Sequence, residues 1–390
     1  MCDIHFPERL TMKTVMIVAG EASGDKHAAL LVKSLKERSE IRVIGIGGDK
    51  MEAAGVELIH HAREMSVMGF TEILSKIPFL RKVRRDLLET IKDEKPTAVI
   101  LVDYPGFNLR FASLARKSGI KVIYFISPQV WAWGKRRIEK IRRTVDMMLT
   151  IFKFEEDMYL IEGVDAHFVG HPLLDEMVEH SEPETDNFRQ AHMARPDGKL
   201  LALLPGSRLQ EVRRILPAML ESVEFLKEEL ASIGKSLDAV IGRVPGIDRN
   251  VYENIVKNSG VNVQLTDESD LLMSSADAGM IKSGTSTLEA ALHDLPMIVV
   301  YKTSWLNYII GRMLVRLDSI SLVNIVAGKK IVEELIQDDF SALKAARLLK
   351  GILTEPQVVA DIREKYSELK TILGGKGASD RAAELILGAI

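Results

Sequence analysis

An α/β protein of two doubly wound halves is expected from three features of the chain. Short apolar, β-branched runs recur with amphipathic helical patterns between them, those runs lack polar alternation, and the rhythm lapses once near the middle before restarting. Unbroken apolar runs mark strands buried on both faces, hence a parallel sheet. Strand–helix alternation marks the doubly wound class.

In the first half the strands are "TVMIVAG", "IRVIGIG", "TAVILVD", "IKVIYFI", "TVDMMLTI" and "AHFVG", most of them separated by helical patterns such as "DKHAALLVKSLKER". The segment "VGHPLLDEMVEHSEPETDNF" is acidic and contains proline, and reads as a linker. The second half runs "KLLALLPGSR", "LDAVIG", "VNVQL", "ADAGMIKSG" and "PMIVVYK", and the chain is helical from Pro356 onward. The expected domains are an extension over 1–12, Rossmann-like halves over 13–175 and 176–355, and a helical segment over 356–390 that can pack back on the first half. Sheets of this class bind ligands beyond the carboxyl ends of their strands, so two facing sheets would place the site in a cleft between them.

At 390 residues, with 46% hydrophobic and 27% charged residues, the chain is long enough for two cored domains of an ordinary soluble protein. The net charge of −3 gives no general reason to expect nucleic acid as a partner. A lone cysteine, Cys2, cannot form an internal disulfide and fits a reducing cytoplasm. No run approaches the roughly 18 apolar residues of a membrane span, and no secretory signal is apparent.

Several familiar chemistries are absent. "GIGGDK" has Lys50 where a dinucleotide fingerprint needs its third glycine, and "LLPGSRLQEV" lacks the G-K-[ST] ending of a P-loop. "GEASGD" has Glu21 at the first glycine position of a nucleophile elbow. No D-x-D or H-E-x-x-H occurs, so neither a required metal nor a cofactor is expected.

Four constellations remain. In "LLPGSRLQEVRRILP", Gly206 and Ser207 fall where a helix starts, a natural anion position, and Arg208 adds a fork for phosphate oxygens; Ser207 could equally be a plain N-cap. In "AGMIKSGTSTLEAAL", a strand ends at Lys282, Ser283-Gly284-Thr285 turn, and Glu289 follows one turn into a helix, suited to ribose hydroxyls. A capping box of Thr285 or Ser286 with Glu289 is the plainer alternative. In "VAGEASGDKHAALL", Glu21, Ser23, Asp25 and His27 follow a core strand, with Ser23 or Asp25 also able to cap the helix. Last, Trp131 and Trp133 lead into Lys135, Arg136, Arg137, Lys140, Arg142 and Arg143, and "KIPFLRKVRR" sets Phe79 and Leu80 beside Arg81 and Arg84. Basic charge mixed with apolar side chains suits an anionic membrane surface, although solvated helix faces look the same in sequence.

Asp103 ends the strand "AVILVD", just before a Pro-Gly turn, and a buried lone carboxylate is costly without a partner. It could cap the helix that begins near Phe107 or pair with an arginine; otherwise it is free for chemistry.

Taken in order, "AGEASGD", "VMGFTEIL", "DYPGFN", "SPQVWAW", "VGHPLLD", "LLPGSR", "SGTSTLEAAL" and "NIVAG" resemble the lipid-A-disaccharide synthase family over nearly the whole chain. The resemblance implies the GT-B architecture, with two Rossmann-like domains facing a cleft and C-terminal helices. It implies an inverting, metal-independent transfer in lipid A (lipopolysaccharide) biosynthesis. The diacylated glucosamine of UDP-2,3-diacylglucosamine would pass to the C6 hydroxyl of 2,3-diacylglucosamine 1-phosphate (lipid X), giving a β-1,6 disaccharide phosphate and UDP. The enzyme would be cytoplasmic and peripheral on the inner membrane of a Gram-negative cell.

On that resemblance Asp103 matches the family's candidate base. Glu21, Ser23 and Asp25 line the acceptor and sugar side; Ser207, Arg208, Ser283, Gly284 and Thr285 hold the diphosphate; Glu289 holds the ribose. Asn324, in "SLVNIVAG", matches an active-site asparagine that could contact UDP or the sugar, although Val323 replaces the proline usual beside it. Gly106 stands where some relatives carry a second aspartate, which leaves Asp103 the motif's sole carboxylate. Trp131, Trp133, Phe79, Leu80, Arg81 and Arg84 would face the membrane or the acceptor. A helical tail of this kind can pack on a second copy, leaving a homo-oligomer open. Two rivals are a UDP-sugar 2-epimerase, or other GT-B transferase with a soluble acceptor, and an inactive nucleotide-sugar sensor or membrane scaffold. The first needs no basic–apolar patches, and the second gains little from Asp103.

Overall fold

The computed structural model describes residues 12–65, 70–131, 136–303 and 319–390, with side chains from 78 onward in the helix that begins at Phe70. Thirteen described strands form two all-parallel sheets. The first holds β1 (Lys13–Ala19), β2 (Ile41–Gly47), β3 (Glu57–His61), β4 (Ala98–Val102), β5 (Lys121–Phe125), β6 (Met147–Thr150) and β7 (Ala166–Phe168). The second holds β8 (Lys199–Leu204), β9 (Leu237–Gly242), β10 (Gln264–Thr266), β11 (Ala278–Lys282), β12 (Met297–Tyr301) and β13 (Glu333–Ile336). Their orders are β3-β2-β1-β4-β5-β6-β7 and β10-β9-β8-β11-β12-β13.

Strand β1 shows why these runs fold as they do. Its side chains alternate between faces, so Met16 and Val18 join one core while Val15, Ile17 and Ala19 join the other, and all five are fully buried. Each large aliphatic side chain buried this way contributes roughly 1.5–3 kcal/mol. A strand with two buried faces has no room for polar residues, which accounts for the unbroken apolar runs.

The chain divides into two compact units, Met1–Asp175 with Leu373–Ile390, and Glu176–Ile372. Residues 356–390 therefore do not act as one body. The helix Pro356–Ile372 stays with the second unit, while the helix Ala378–Ala389 belongs with the first. There Ala382, Ala383 and Ile386 complete the core beside Leu31 and Leu35 of the helix Ala22–Arg38. Polar ties fix that helix in place: Ser34 donates to Asp380 at 2.6 Å, and the N–H groups of Gly377 and Ser379 donate to Asp175. No described helix is long and apolar enough to cross a membrane.

In each sheet the strand order reverses at one point, between β1 and β4 and between β8 and β11. Helices leave the two strands of such a pair in opposite directions, opening a crevice at their carboxyl ends. The motifs "AGEASGD" and "DYPGFN" follow β1 and β4, and "LLPGSR" and "IKSGTS" follow β8 and β11. These four loops thus sit at reversal points.

Candidate active site

At the reversal point of the first unit, β1 and β4 pair with Ala19 opposite Val102, which brings the Gly20–Glu21 turn beside Asp103. Asp103 and Tyr104 both adopt left-handed backbone, each with φ of 46°. Such a conformation costs a non-glycine residue on the order of 1–2 kcal/mol, so something must hold it. Asn108 does so from the first turn of the helix Pro105–Lys117. Its Nδ2 donates to the carbonyls of Asp103 at 2.8 Å and Val102 at 3.1 Å. The hydroxyl of Tyr124, on β5, donates to the same Asp103 carbonyl at 2.6 Å. Tyr104 caps the helix backbone with no side-chain cap, so Asp103 does not serve as the helix cap.

The Asp103 side chain is partly buried and makes no ion pair with lysine or arginine among the described residues. Burial pushes its carboxyl above the usual range, against smaller downward pulls from the Tyr104 backbone N–H and nearby His27. Gly20 is required here by close approach: a Cβ on it would lie 2.3 Å from the Tyr104 ring. Tyr104 in turn donates to the Met65 carbonyl at 3.3 Å. Glu21 and Ser23 stand exposed at the start of the helix Ala22–Arg38, where Glu21 is the N-cap.

Asp25 departs from expectation. It is buried and accepts N–H bonds from Gly48 at 2.6 Å, Met51 at 3.1 Å and Lys50 at 3.2 Å. Its carboxylate satisfies the start of the helix Asp49–Ala53 and is not available for acid–base chemistry.

At the reversal point of the second unit, β8 and β11 pair with Leu204 opposite Ile281. The β8 loop turns through Gly206, whose φ of 115° favours glycine, and the helix Leu209–Ala231 starts behind Arg208. Ser207 is exposed and is not the cap. Instead Glu211 reaches back, its Oε2 accepting from the N–H groups of Ser207 at 3.1 Å and Arg208 at 3.3 Å. Its Oε1 pairs with Lys282 Nζ at 2.9 Å, both side chains being about 15% exposed (15% and 16%). A Cβ on Gly206 would lie 2.5 Å from that carboxylate. An internal anion thus occupies N–H groups expected to meet phosphate, and Lys282, which also lies 5.7 Å over the Tyr301 ring, is its counterion. Arg208 remains 83% exposed, with its guanidinium 3.8 Å from Glu211.

The β11 loop keeps part of its expected role. The helix Thr285–Leu292 begins behind Gly284 as its N-cap, with no side-chain cap, so neither Thr285 nor Ser286 is the cap; the Thr287 N–H turns back to the Gly284 carbonyl at 3.1 Å. Ser283, however, is buried; its hydroxyl donates to the Ile320 carbonyl at 2.8 Å and its N–H to Val300 at 3.0 Å. Both of its donors are spent on the framework.

Asn324 is likewise structural. At 2% exposure, its Oδ1 accepts from the N–H groups of Ile331 at 2.8 Å and Val332 at 3.0 Å. Its Nδ2 donates to the Val332 carbonyl at 3.0 Å and to Glu334 at 2.7 Å. Every hydrogen-bonding position of the amide is filled, leaving none for UDP or sugar.

The residues expected to face a membrane also divide. Phe79 and Leu80 pack on the first core, Phe79 edge-on to His60, because they fall on the inner face of the helix Phe70–Glu94. Arg81 is exposed and Arg84 partly so. Trp131 turns its indole N–H inward to Glu155 at 3.0 Å and packs edge-on against Phe154. Trp133 lies outside the described residues. Sequence inspection passed over Asn108, Tyr124, Glu155 and Glu211. Of these, only Glu211 carried a local signal, an acid three residues into a helix start.

Two doubly wound units, each built on an all-parallel sheet, define the GT-B fold class, and solved structures agree on the fold. A Neisseria meningitidis UDP-GlcNAc 2-epimerase bound to UDP-GlcNAc matches with a TM-score of 0.62 at 13% identity, over 97% of this chain and 100% of that one. The calicheamicin glycosyltransferase CalG4 matches at 0.59 and 14%, over 97% and 99%. The lipid-A-disaccharide synthetase family model matches residues 15–388. Lipid-A-disaccharide synthases of Syntrophus aciditrophicus (strain SB) and Myxococcus xanthus (strain DK1622) are 43% and 39% identical, over 97% and 96% of this chain and 98% and 96% of theirs. The chain belongs to the lipid-A-disaccharide synthase family.

Proposed function

We propose that the chain transfers the diacylated glucosamine of UDP-2,3-diacylglucosamine to the C6 hydroxyl of 2,3-diacylglucosamine 1-phosphate, releasing UDP. The observation that carries this, within the family, is Asp103: a carboxylate held by strained backbone at a strand end, with no lysine or arginine paired to it among the described residues. As the acceptor oxygen attacks C1, its proton passes to Asp103 and the bond from C1 to the β-phosphate oxygen breaks, its electron pair leaving with UDP. Glu21 and Ser23 line the sugar side. Arg208 and the N–H groups at the start of the Thr285 helix meet the departing diphosphate, Lys282 shares its charge between Glu211 and that anion, and Glu289 holds the ribose. Acyl chains on both substrates bring the enzyme to the cytoplasmic face of the inner membrane as a peripheral protein, with the exposed charge of Arg81 favouring anionic lipid.

The deciding experiment is mass spectrometry of the products from the UDP-diacyl sugar and its lipid monophosphate. A disaccharide phosphate with UDP is the expected result; epimerised UDP-sugar formed without acceptor would overturn it. In the same preparation Arg208→Ala is expected to weaken UDP binding about tenfold by calorimetry, the low end for a charge-assisted hydrogen bond because the side chain is exposed. Unchanged affinity would remove Arg208 from the donor site.

A further inference from the structure

The two cations of the expected diphosphate site, Lys282 and Arg208, both point at one carboxylate of the protein itself. Glu211 stands in the first turn of the helix Leu209–Ala231, and its Oε1 lies 2.9 Å from Lys282 Nζ and 3.8 Å from Arg208 Nη1. Its Oε2 accepts from the N–H groups of Ser207 and Arg208. Lys282 reaches it because β8 and β11 are neighbours: Leu204 pairs with Ile281, so the two turns leave the sheet side by side. Gly206 admits it, since a Cβ there would lie 2.5 Å from Oε2 and 3.0 Å from the Glu211 Cβ.

Capping the helix does not call for this charge, because a glutamine at the same position can accept the same N–H groups. What the carboxylate adds is a negative charge beside Lys282, which is 16% exposed and also sits over the Tyr301 ring. An ion pair this sheltered from solvent is stronger than one on the open surface. A diphosphate arriving at the turn therefore meets a lysine already engaged and a like charge next to it.

We propose that Glu211 limits the affinity of the second unit for UDP: it holds Lys282 and repels the diphosphate, so the nucleotide is bound loosely enough to leave after transfer. The inference rests on the reading that the turns after β8 and β11 meet the diphosphate. A purely structural Glu211 has the opposite signature, since loosening the helix start would weaken nucleotide binding. In the glutamine variant the lysine loses its counterion, and the incoming phosphate supplies a new one.

The test is calorimetry of the full chain with UDP, inorganic pyrophosphate and uridine. In Glu211→Gln, UDP and pyrophosphate should bind about tenfold more tightly than to the wild type, toward the low end for removing one unit charge near a protein surface. Uridine, which lacks the diphosphate, should bind both proteins alike. In the transfer assay, added UDP should inhibit the variant more strongly by the same factor. Combining Glu211→Gln with Lys282→Met should cancel the gain, because the freed ammonium is what captures the anion; the single variant decides alone should the double one not fold. Wild-type binding of UDP that is matched or weakened in Glu211→Gln, or a gain shared equally by uridine, would overturn the proposal and leave the donor site standing. UDP bound by neither protein would overturn the donor-site reading together with it.

Discussion

Asp103→Asn is expected to lower kcat by about 10²–10⁴-fold, the range for losing a general base, while UDP affinity stays within about twofold. Asparagine is nearly the same size, and the contacts that hold this turn are made to the Asp103 backbone carbonyl, from Asn108 and Tyr124, so the fold should persist. The pH profile gives a second signature. Because burial holds the Asp103 carboxyl above its ordinary range, the acid limb of kcat/KM should fall at a higher pH than a free aspartate would give. The sign follows from the roles: below that pKa the base is protonated and activity is lost, and above it activity is kept. Rates in Asp103→Asn should lack that limb. A variant that loses UDP binding and turnover together would show that Asp103 supports structure, not proton transfer.

Asn324→Ala should cost about 3–5 kcal/mol of stability in the second unit. The change strips partners from the N–H groups of Ile331 and Val332 and from the Val332 carbonyl, and each buried polar group left unpaired costs about 1–3 kcal/mol. It also takes a donor from Glu334, whose carboxylate accepts from Ile320 N–H at 2.9 Å and from the Ser321 hydroxyl at 2.7 Å. Asn324→Asp should be at least as harmful despite its shape, since it sets a second carboxylate against Glu334 where a 2.7 Å hydrogen bond now stands. At roughly 2–4 °C per kcal/mol for a unit of this size, thermal unfolding should move down by about 6–20 °C. A melting temperature within a degree of the wild type, with UDP binding lost, would return Asn324 to the ligand.

The strands best anticipated from the chain are those buried on both faces, such as β1, β4 and β8, whose apolar runs admit one interpretation. β3 and β13, each at a sheet edge, lack an unbroken apolar run and so are not visible as strands in the sequence. Their residues, Glu57–His61 and Glu333–Ile336, are largely exposed or half-buried and carry the charge that edge strands tolerate. The family motifs marked the right loops, yet they did not separate side chains that face a ligand from those that hold the loop. Asp25, Ser283 and Asn324 share motifs with exposed residues and are spent inside the protein.

What the linear chain settled was the architecture, the family and the position of Asp103 at a strand end, because each depends on patterns that repeat within a few residues. Which polar groups are still free was settled only by the folded chain. That Glu211 reaches Lys282 across 71 positions, or that Trp131 turns inward to Glu155, depends on how distant segments converge, and a hydrogen bond once satisfied there is lost to any ligand.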